Sequence, residues 1–170
     1  MALSKIAEGL EIVDEQQDRG VAAIDDTDAT LADRLARYDD ELPCDPDAAA
    51  TVVQTHTAGT SVGDSARAVG IEPITAAKTL HLLGIDGVNP LGPNAREIVR
   101  DWLVGGLSRS TARTLTGASD REFALAAFVE SHEPIEGAIE AVEGAFAAGE
   151  CATVQRDLLA DTMTDAGDLR

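Results

Sequence analysis

Helix breakers and helix caps recur at short intervals through the middle of the chain, and they permit only short helices there. A helix start is recognised by a capping residue, often followed by proline, and a helix end by glycine. Three successive helices follow this rule, with starts at Asp45-Pro46, Ser61 and Pro73 and ends at Gly59, Gly70 and Gly84. We therefore expect an all-α fold built from short helices.

The second and third of these helices carry a recurrent two-helix pattern, SVGDSARAVGIEPITAAKTLHLLG, over residues 61–84. Ala66 is small where two helices would cross closely, and apolar residues flank the turn. Gly70 occupies the turn itself, a position that is often left-handed and penalises a side chain. The segment resembles the helix-turn-helix superfamily. This resemblance implies that residues 45–84 form a tri-helical unit.

A second, weaker copy of the pattern follows along the chain. Each copy reads helix, glycine, serine-capped short helix, glycine and longer helix. Ala48, Gly59, Ser61 and Gly70 of the first copy are echoed by Ala95, Gly106, Ser108 and Gly117. We expect residues 94–131 to form a degenerate second unit, so that two tri-helical units stand in tandem. The alternative is coincidence in a chain rich in alanine, glycine and serine.

The resemblance implies that the third helix of the first unit reads DNA with outward-facing side chains. Thr75, Lys78 and His81 are the candidates on that helix. The second unit instead begins its third helix with Asp120, Arg121 and Glu122. The two acids of this set would disfavour contact with DNA phosphates. The central arginines are candidate phosphate ligands: Arg96, Arg100, Arg109 and Arg113. The alternative is that these arginines pair with acids of the same chain, such as Glu97, Asp101 and the acidic flanks.

Acidic residues flank this central region. The chain has 31 acids, 13 bases and a formal net charge of -18, yet residues 61–121 are close to neutral. The acids are dispersed among apolar residues at helical spacing, lysine is scarce and aromatic side chains are few. The sequence resembles the small acidic proteins of haloarchaea, and this resemblance implies a high-salt cytoplasm. Because molar salt shortens the Debye length to about 3 Å, the acidity does not exclude DNA as a partner.

The flanks are also predicted to be helical. Residues 1–44 are predicted to form an acidic N-terminal helical segment. Ile6, Leu10 and Val13 could share one helical face, but Gly9 and Gly20 interrupt the pattern, and the apolar run 20–24 could be extended, so the structure of residues 1–26 is left open. A clearer helix, capped by Thr27 or Asp28, should carry Leu31, Leu35 and Tyr38 on one face. Residues 134–170 should comprise a long helix opened by Pro134, a last helix over residues 152–163 and a frayed tail.

Signatures of catalysis and of membrane insertion are lacking. There is no glycine-rich phosphate motif, no H-E-x-x-H and no G-x-S-x-G, and the three histidines lack metal-ligand spacing. Cys44 and Cys151 lie far apart without a partner motif, and we interpret them as two unlinked thiols of a reducing cytosol. No stretch is long enough to span a bilayer, and Met1–Leu10 does not read as a signal peptide. We expect no enzymatic activity, cofactor or metal, and a cytoplasmic location.

Two functional hypotheses follow from the sequence. The first is a DNA-binding regulator or nucleoid-associated protein that acts through residues 61–84 and the central arginines. The second is a protein–protein adaptor whose helix-turn-helix is structural and whose acidic ends meet a basic partner. The two hypotheses make different demands on the outward face of the third helix of the first unit, and that face is only weakly basic. The target, the effector and the oligomeric state are left open.

Overall fold

The computed structural model describes residues 29–149, and in that part of the chain the fold is all-α, as predicted, without a β-strand. A 3-10 helix, Ala36–Glu41, continues the first α-helix. The α-helices are α1 (Leu31–Leu35), α2 (Pro46–Thr57), α3 (Val62–Val69), α4 (Pro73–Leu82), α5 (Pro93–Leu103), α6 (Arg109–Thr116), α7 (Asp120–Ser131) and α8, which occupies residues 136–149. No helix in this range has both the length and the apolar composition needed to cross a membrane.

Some predicted features lie outside the described residues. They are the helical face of Ile6, Leu10 and Val13, the last helix over residues 152–163 and Cys151.

Serine hydroxyls start three of the helices as predicted. Ser61, Ser108 and Ser119 each accept a hydrogen bond from the backbone N–H three residues later. The capping box predicted for Ser119 is complete, because the Glu122 carboxylate accepts from the Ser119 backbone N–H at 2.9 Å. These caps satisfy backbone N–H groups of the first turn that would otherwise lack a partner, which explains why such short helices are stable.

The first described helix begins later than predicted. Thr30, and not Thr27 or Asp28, is the cap of α1. Thr30 and Asp33 form a reciprocal capping box, which satisfies two backbone donors at once and therefore sets the helix start. The helix also changes to 3-10 geometry at Ala36, so Leu35 and Tyr38 belong to different elements.

Two turns repeat the same backbone geometry. Gly70 ends α3 with φ 74° and ψ 26°, and Gly117 ends α6 with φ 65° and ψ 11°. Both values lie in the left-handed region that glycine adopts without strain. Ala66 and Ala112, at related positions before these turns, are both fully buried. The local echo detected in the sequence therefore corresponds to a similar local backbone.

We call α2–α4 the first helix group and α5–α7 the second helix group. The first group shares a core with α1 and α8, and its fully buried side chains include Leu35, Val52, Val53, Leu80 and Leu83. The second group has a separate and smaller core of four buried residues: Val99, Ala112, Phe123 and Ala126. The two groups meet where α4 packs against α7.

Helix α8 docks onto the first helix group at close range. The Ile135 backbone N–H donates to the Leu82 carbonyl at 2.8 Å, which fixes the chain at the end of α4. Ala138 and Val142 then enter the first core. At Gly137 an added Cβ would collide with the Tyr38 hydroxyl, so glycine lets α8 approach the 3-10 helix without displacing the Tyr38 side chain.

Candidate nucleic-acid interface

Helix α4, the candidate reading helix, is an internal element. It packs against α2 and α3 on one side and against α7 on the other. No residue from 74 to 82 is exposed. Thr75, Lys78 and His81 are partly buried, so they are less exposed than the sequence pattern suggests, and their assignment to DNA stays a prediction. The cause of this burial is α7, which covers the polar face of α4.

The contact between α4 and α7 is centred on the ring of Phe128. The Lys78 ammonium lies over that ring, 4.8 Å from its centroid. The His81 ring meets the Phe128 ring edge-on at 6.2 Å, and the His132 ring stacks on it at 4.0 Å. Nε2 of His81 also donates to the His132 carbonyl at 2.7 Å. We call these four residues the aromatic joint. It engages two of the side chains that the sequence assigned to DNA.

The third candidate on α4, Thr75, lies beside a buried polar cluster. Its carbonyl accepts from the Thr79 hydroxyl at 2.9 Å, and Thr79 is fully buried. The Cys44 sulfur lies 3.3 Å from the same hydroxyl. Cys44 forms no disulfide, and burial raises the pKa of its thiol. This cysteine is therefore a weak nucleophile that packs against the first core.

Arg96 and Arg100 are both bound to one carboxylate. Their Nε atoms lie 2.6 Å and 2.5 Å from the two oxygens of Glu130, whose side chain is only 5% exposed. Asn89 adds a third donor at 3.1 Å. We call these four residues the carboxylate clamp. Burial alone would raise the pKa of Glu130, but the hydrogen bonds and charges of the two arginines outweigh it and lower the pKa.

The remaining candidate arginines lie on α6. Arg113 pairs with Asp120 at 2.8 Å, and the Arg109 guanidinium lies 5.9 Å from the Phe123 ring centroid. Arg109 is exposed, whereas Arg113 is partly buried. Helix α6 contains no acidic residue, and it also exposes hydroxyl side chains: Ser108 at its cap, Ser110, Thr111 and Thr114. This part of the described surface is therefore suited to an anion.

Exposed carboxylates form a stripe on α8. Glu136, Glu140 and Glu143 follow one another at helical spacing and are all exposed, while the opposite face enters the first core. We call them the acidic stripe. The 3-10 helix exposes a further set of acids, Asp39, Asp40 and Glu41. These two elements therefore present negative charge to solvent.

Sequence reasoning missed the residues that cover α4 and bind the arginines. Phe128, Glu130 and His132 all come from α7 or the residue after it. A signal for Glu130 was present, because it lies one turn beyond Ala126 and two turns beyond Phe123, on the face of α7 that is buried. No comparable pattern indicates which aromatic ring would receive Lys78.

Comparison with known proteins places the chain in a family. Residues 1–168 match the model of a family of unknown function, DUF7858, and the chain belongs to that family. No curated protein and no solved structure matches it. Within residues 29–149, no group of three or more histidine, cysteine or acidic side chains is placed to hold a metal ion.

Proposed function

We propose that this protein is a non-catalytic protein–protein adaptor, built on tandem tri-helical units of the helix-turn-helix type that serve structure. The observation that supports this most is the partial or full burial of every residue of α4 between 74 and 82. A recognition helix must present a free face to the major groove. Here that face is covered by α7 and joined to it by Lys78 and His81.

The chemistry of the partner follows from the charge that remains on the surface. The acidic stripe on α8 is solvent-exposed, and the chain carries a net charge of -18. In molar salt the long-range field is screened, but charges of opposite sign in direct contact still select partners. The proposed partner is therefore a basic segment of another protein. The dispersed acids also favour a high-salt cytoplasm as the place where the two meet.

Removing α8 would not test this proposal, because Ala138 and Val142 belong to the first core. The test is a stripe variant that carries Glu136→Gln, Glu140→Gln and Glu143→Gln. Its matched control carries Asp39→Asn, Asp40→Asn and Glu41→Gln, which remove equal charge from the 3-10 helix. All three forms are immobilised in molar KCl and exposed to an extract of cells that make the protein.

The adaptor proposal expects one discrete partner that the wild type and the control retain and the stripe variant loses. The salt concentration must stay molar, since the protein is expected to lose stability in dilute buffer. If all three forms retain the same proteins, the acidic stripe is not the partner-binding surface. If the wild type retains no protein, the adaptor function is rejected.

A DNA-binding regulator or nucleoid-associated protein is the second candidate, and α6 is the observation that favours it. Arg109 is exposed beside serine and threonine hydroxyls on a helix without acids. Arginine and hydroxyl side chains are the usual ligands of DNA phosphates, which position a protein without reading sequence. This surface would give sequence-independent binding, with Arg113 held partly by Asp120.

Fluorescence anisotropy with duplex DNA across a KCl series tests this candidate. Arg109→Gln should weaken binding to all sequences equally and reduce the salt slope by about one. Arg67→Gln is the matched control, because Arg67 is an exposed arginine on α3 that pairs with Asp64. Lys78→Glu is unsuitable, because it would place a carboxylate in the aromatic joint. Absence of binding by the wild type in molar KCl would reject the DNA candidate.

A further inference from the structure

A cleft of about 510 Å³ lies between the two helix groups, at the first turns of α3, α4 and α7. Its apolar lining includes Val62, Ile74, Ala77, Val88, Pro90 and Leu125. Clefts of this size and composition accommodate small organic molecules, which are oriented by a few polar groups. Three exposed charged side chains also line this cleft: Glu72, Arg121 and Glu122.

Arg121 differs from every other basic side chain that the structure describes. The others form ion pairs, hydrogen bonds, ring contacts or other interactions, whereas Arg121 forms none with residues 29–149. This is unexpected in a chain whose acids outnumber its bases by 31 to 13. One oxygen of Glu122, its neighbour, is already held by the backbone and hydroxyl of Ser119. A guanidinium that has no partner among residues 29–149 and lies at an apolar cleft is suited to a carboxylate attached to an apolar body.

We infer that this cleft binds a small apolar monocarboxylate, with its hydrocarbon part against Ile74 and Leu125 and its carboxylate on Arg121. The inference does not depend on the adaptor function, since it needs no protein partner. Glu72 and Glu122 limit the negative charge that the ligand can carry. A monoanion should therefore bind better than a dianion of the same length.

Gly63 provides a way to close the cleft without straining the fold. It lines the cleft near the start of α3, and a Cβ added there would meet only the Ser61 hydroxyl, at 4.0 Å. Gly63→Leu should fill the cleft and also favour the helix, because leucine has a higher helix propensity than glycine. Gly63→Ala is the matched control, which gains helix propensity but leaves the cleft open.

The experiment measures binding of octanoate, and of the neutral octanol, in molar KCl by chemical-shift titration of the full chain. The wild type should bind octanoate more tightly than octanol. Arg121→Gln should lower octanoate affinity by about tenfold and leave octanol affinity unchanged, since only the charged hydrogen bond is lost. Gly63→Leu should weaken both ligands, and Gly63→Ala should weaken neither.

Three results would overturn the inference. The first is that the wild type shows no saturable binding of octanoate. The second is that a folded Gly63→Leu variant binds octanoate as tightly as the wild type, and the third is that Arg121→Gln lowers the affinities for octanoate and octanol equally. Heptanedioate, a dianion of similar length, should bind more weakly than octanoate, and tighter binding would contradict the role of Glu72 and Glu122. None of these results bears on capture of a protein partner by the acidic stripe.

Discussion

The two helix groups share a local design but differ in what stabilises them. Each has a serine-capped middle helix that ends at a left-handed glycine, Gly70 in one and Gly117 in the other. The first group buries a large core because α1 and α8 close over it. The second has four buried core residues and relies on the carboxylate clamp to hold α5 against α7. It also carries the exposed large apolar side chains of the described chain: Leu103, Val104 and Leu115.

We infer from this difference that the repeated turns set the local geometry, while the added helices contribute more to stability. Local caps and turns contribute about 1 kcal/mol each. Burying a large apolar side chain contributes about 1.5–3 kcal/mol, so the number of covering helices matters more. We therefore expect the second helix group to be the less stable of the two. Trp102 is the one tryptophan of the chain and lies 5.1 Å from the Phe123 ring, so its fluorescence reports on this group.

The largest effect should come from removing salt, because it acts on the whole charge of -18. Unscreened acids repel one another and destabilise the compact state. The thermal midpoint, followed by circular dichroism, should rise from dilute buffer to molar KCl. The Trp102 transition should rise less, because residues 61–121 are near neutral. Melts that are flat or falling across the series would contradict the prediction that the chain is adapted to high salt.

Among single substitutions, Phe123→Ala should have the largest effect. Phe123 is the largest fully buried side chain of the second core, and its truncation should cost about 3–5 kcal/mol. We expect the unfolding transition reported by Trp102 fluorescence to move to a lower denaturant concentration, while much of the helical circular dichroism signal persists. In the comparison variant, Leu80→Ala in the first core, the fluorescence and circular dichroism signals should be lost together. Coincident transitions in Phe123→Ala would show that the two groups unfold as one.

Glu130→Gln should cost less, roughly 2 kcal/mol. Breaking a buried pair typically costs about 3–5 kcal/mol, but the Arg96 and Arg100 side chains are 38% and 53% exposed. Denaturant unfolding followed by Trp102 fluorescence measures the loss. Glu97→Gln is the control on α5, because Glu97 is exposed and forms no ion pair within residues 29–149.

The carboxylate clamp also predicts a pH dependence. The pKa of Glu130 is lower in the folded protein, so its ion pairs stabilise the fold above the unfolded-state pKa. This contribution is lost as pH falls through the lowered folded value, so the second group should weaken below about pH 4. Glu130→Gln should be less sensitive to acid than the wild type in this range. Parallel acid titrations of the two forms would refute the role of the clamp.

Gly70→Val and Gly117→Val should each cost about 1–2 kcal/mol, the strain of a left-handed side chain. At both positions an added Cβ meets no atom within 4 Å, so the loss is confined to the backbone. The two losses should therefore be equal despite the different cores. Asparagine at either position is the control, because it tolerates this conformation. Unequal losses in denaturant unfolding would show that the two turns are not equivalent.

Lys78→Met should have the smallest effect, a loss of about 0.5–1 kcal/mol. The substitution keeps the apolar stem of the side chain but removes the ammonium group from the Phe128 ring. Denaturant unfolding followed by circular dichroism measures it. Lys78→Arg should retain most of the contact, and an unchanged midpoint for Lys78→Met would show that the charge does not stabilise the joint.

Local structure was predicted from the sequence more accurately than the packing between helices. The caps at Ser61, Ser108 and Ser119 were found because a cap and its partner lie three residues apart. The partial burial of Lys78 was not predicted from the sequence, because it depends on Phe128 from a helix much later in the chain. Helical periodicity shows which face is apolar, but it does not show which neighbour covers a polar face.

The prediction of the candidate site suffered most, because it depends on which helices pack against one another. Intramolecular pairing of the central arginines was recognised as an alternative, and Arg96, Arg100 and Arg113 are indeed paired. Their partners, Glu130 and Asp120, were not identified, because the approach of α5 and α6 to α7 is a tertiary property. The assignment of these arginines to DNA stays a prediction.

The docking of α8 has a consequence for the order in which the molecule assembles. The first core joins Leu31 to Val142, nearly the whole length of the described chain, whereas the second core joins residues between Leu91 and Ala127. Closing a longer loop costs more entropy, and folds dominated by distant contacts form more slowly. During refolding, the second helix group can collapse through its own local contacts before α8 has docked on the first core. The half of the molecule that we expect to be less stable should therefore form first, and the first core is completed only when α8 docks.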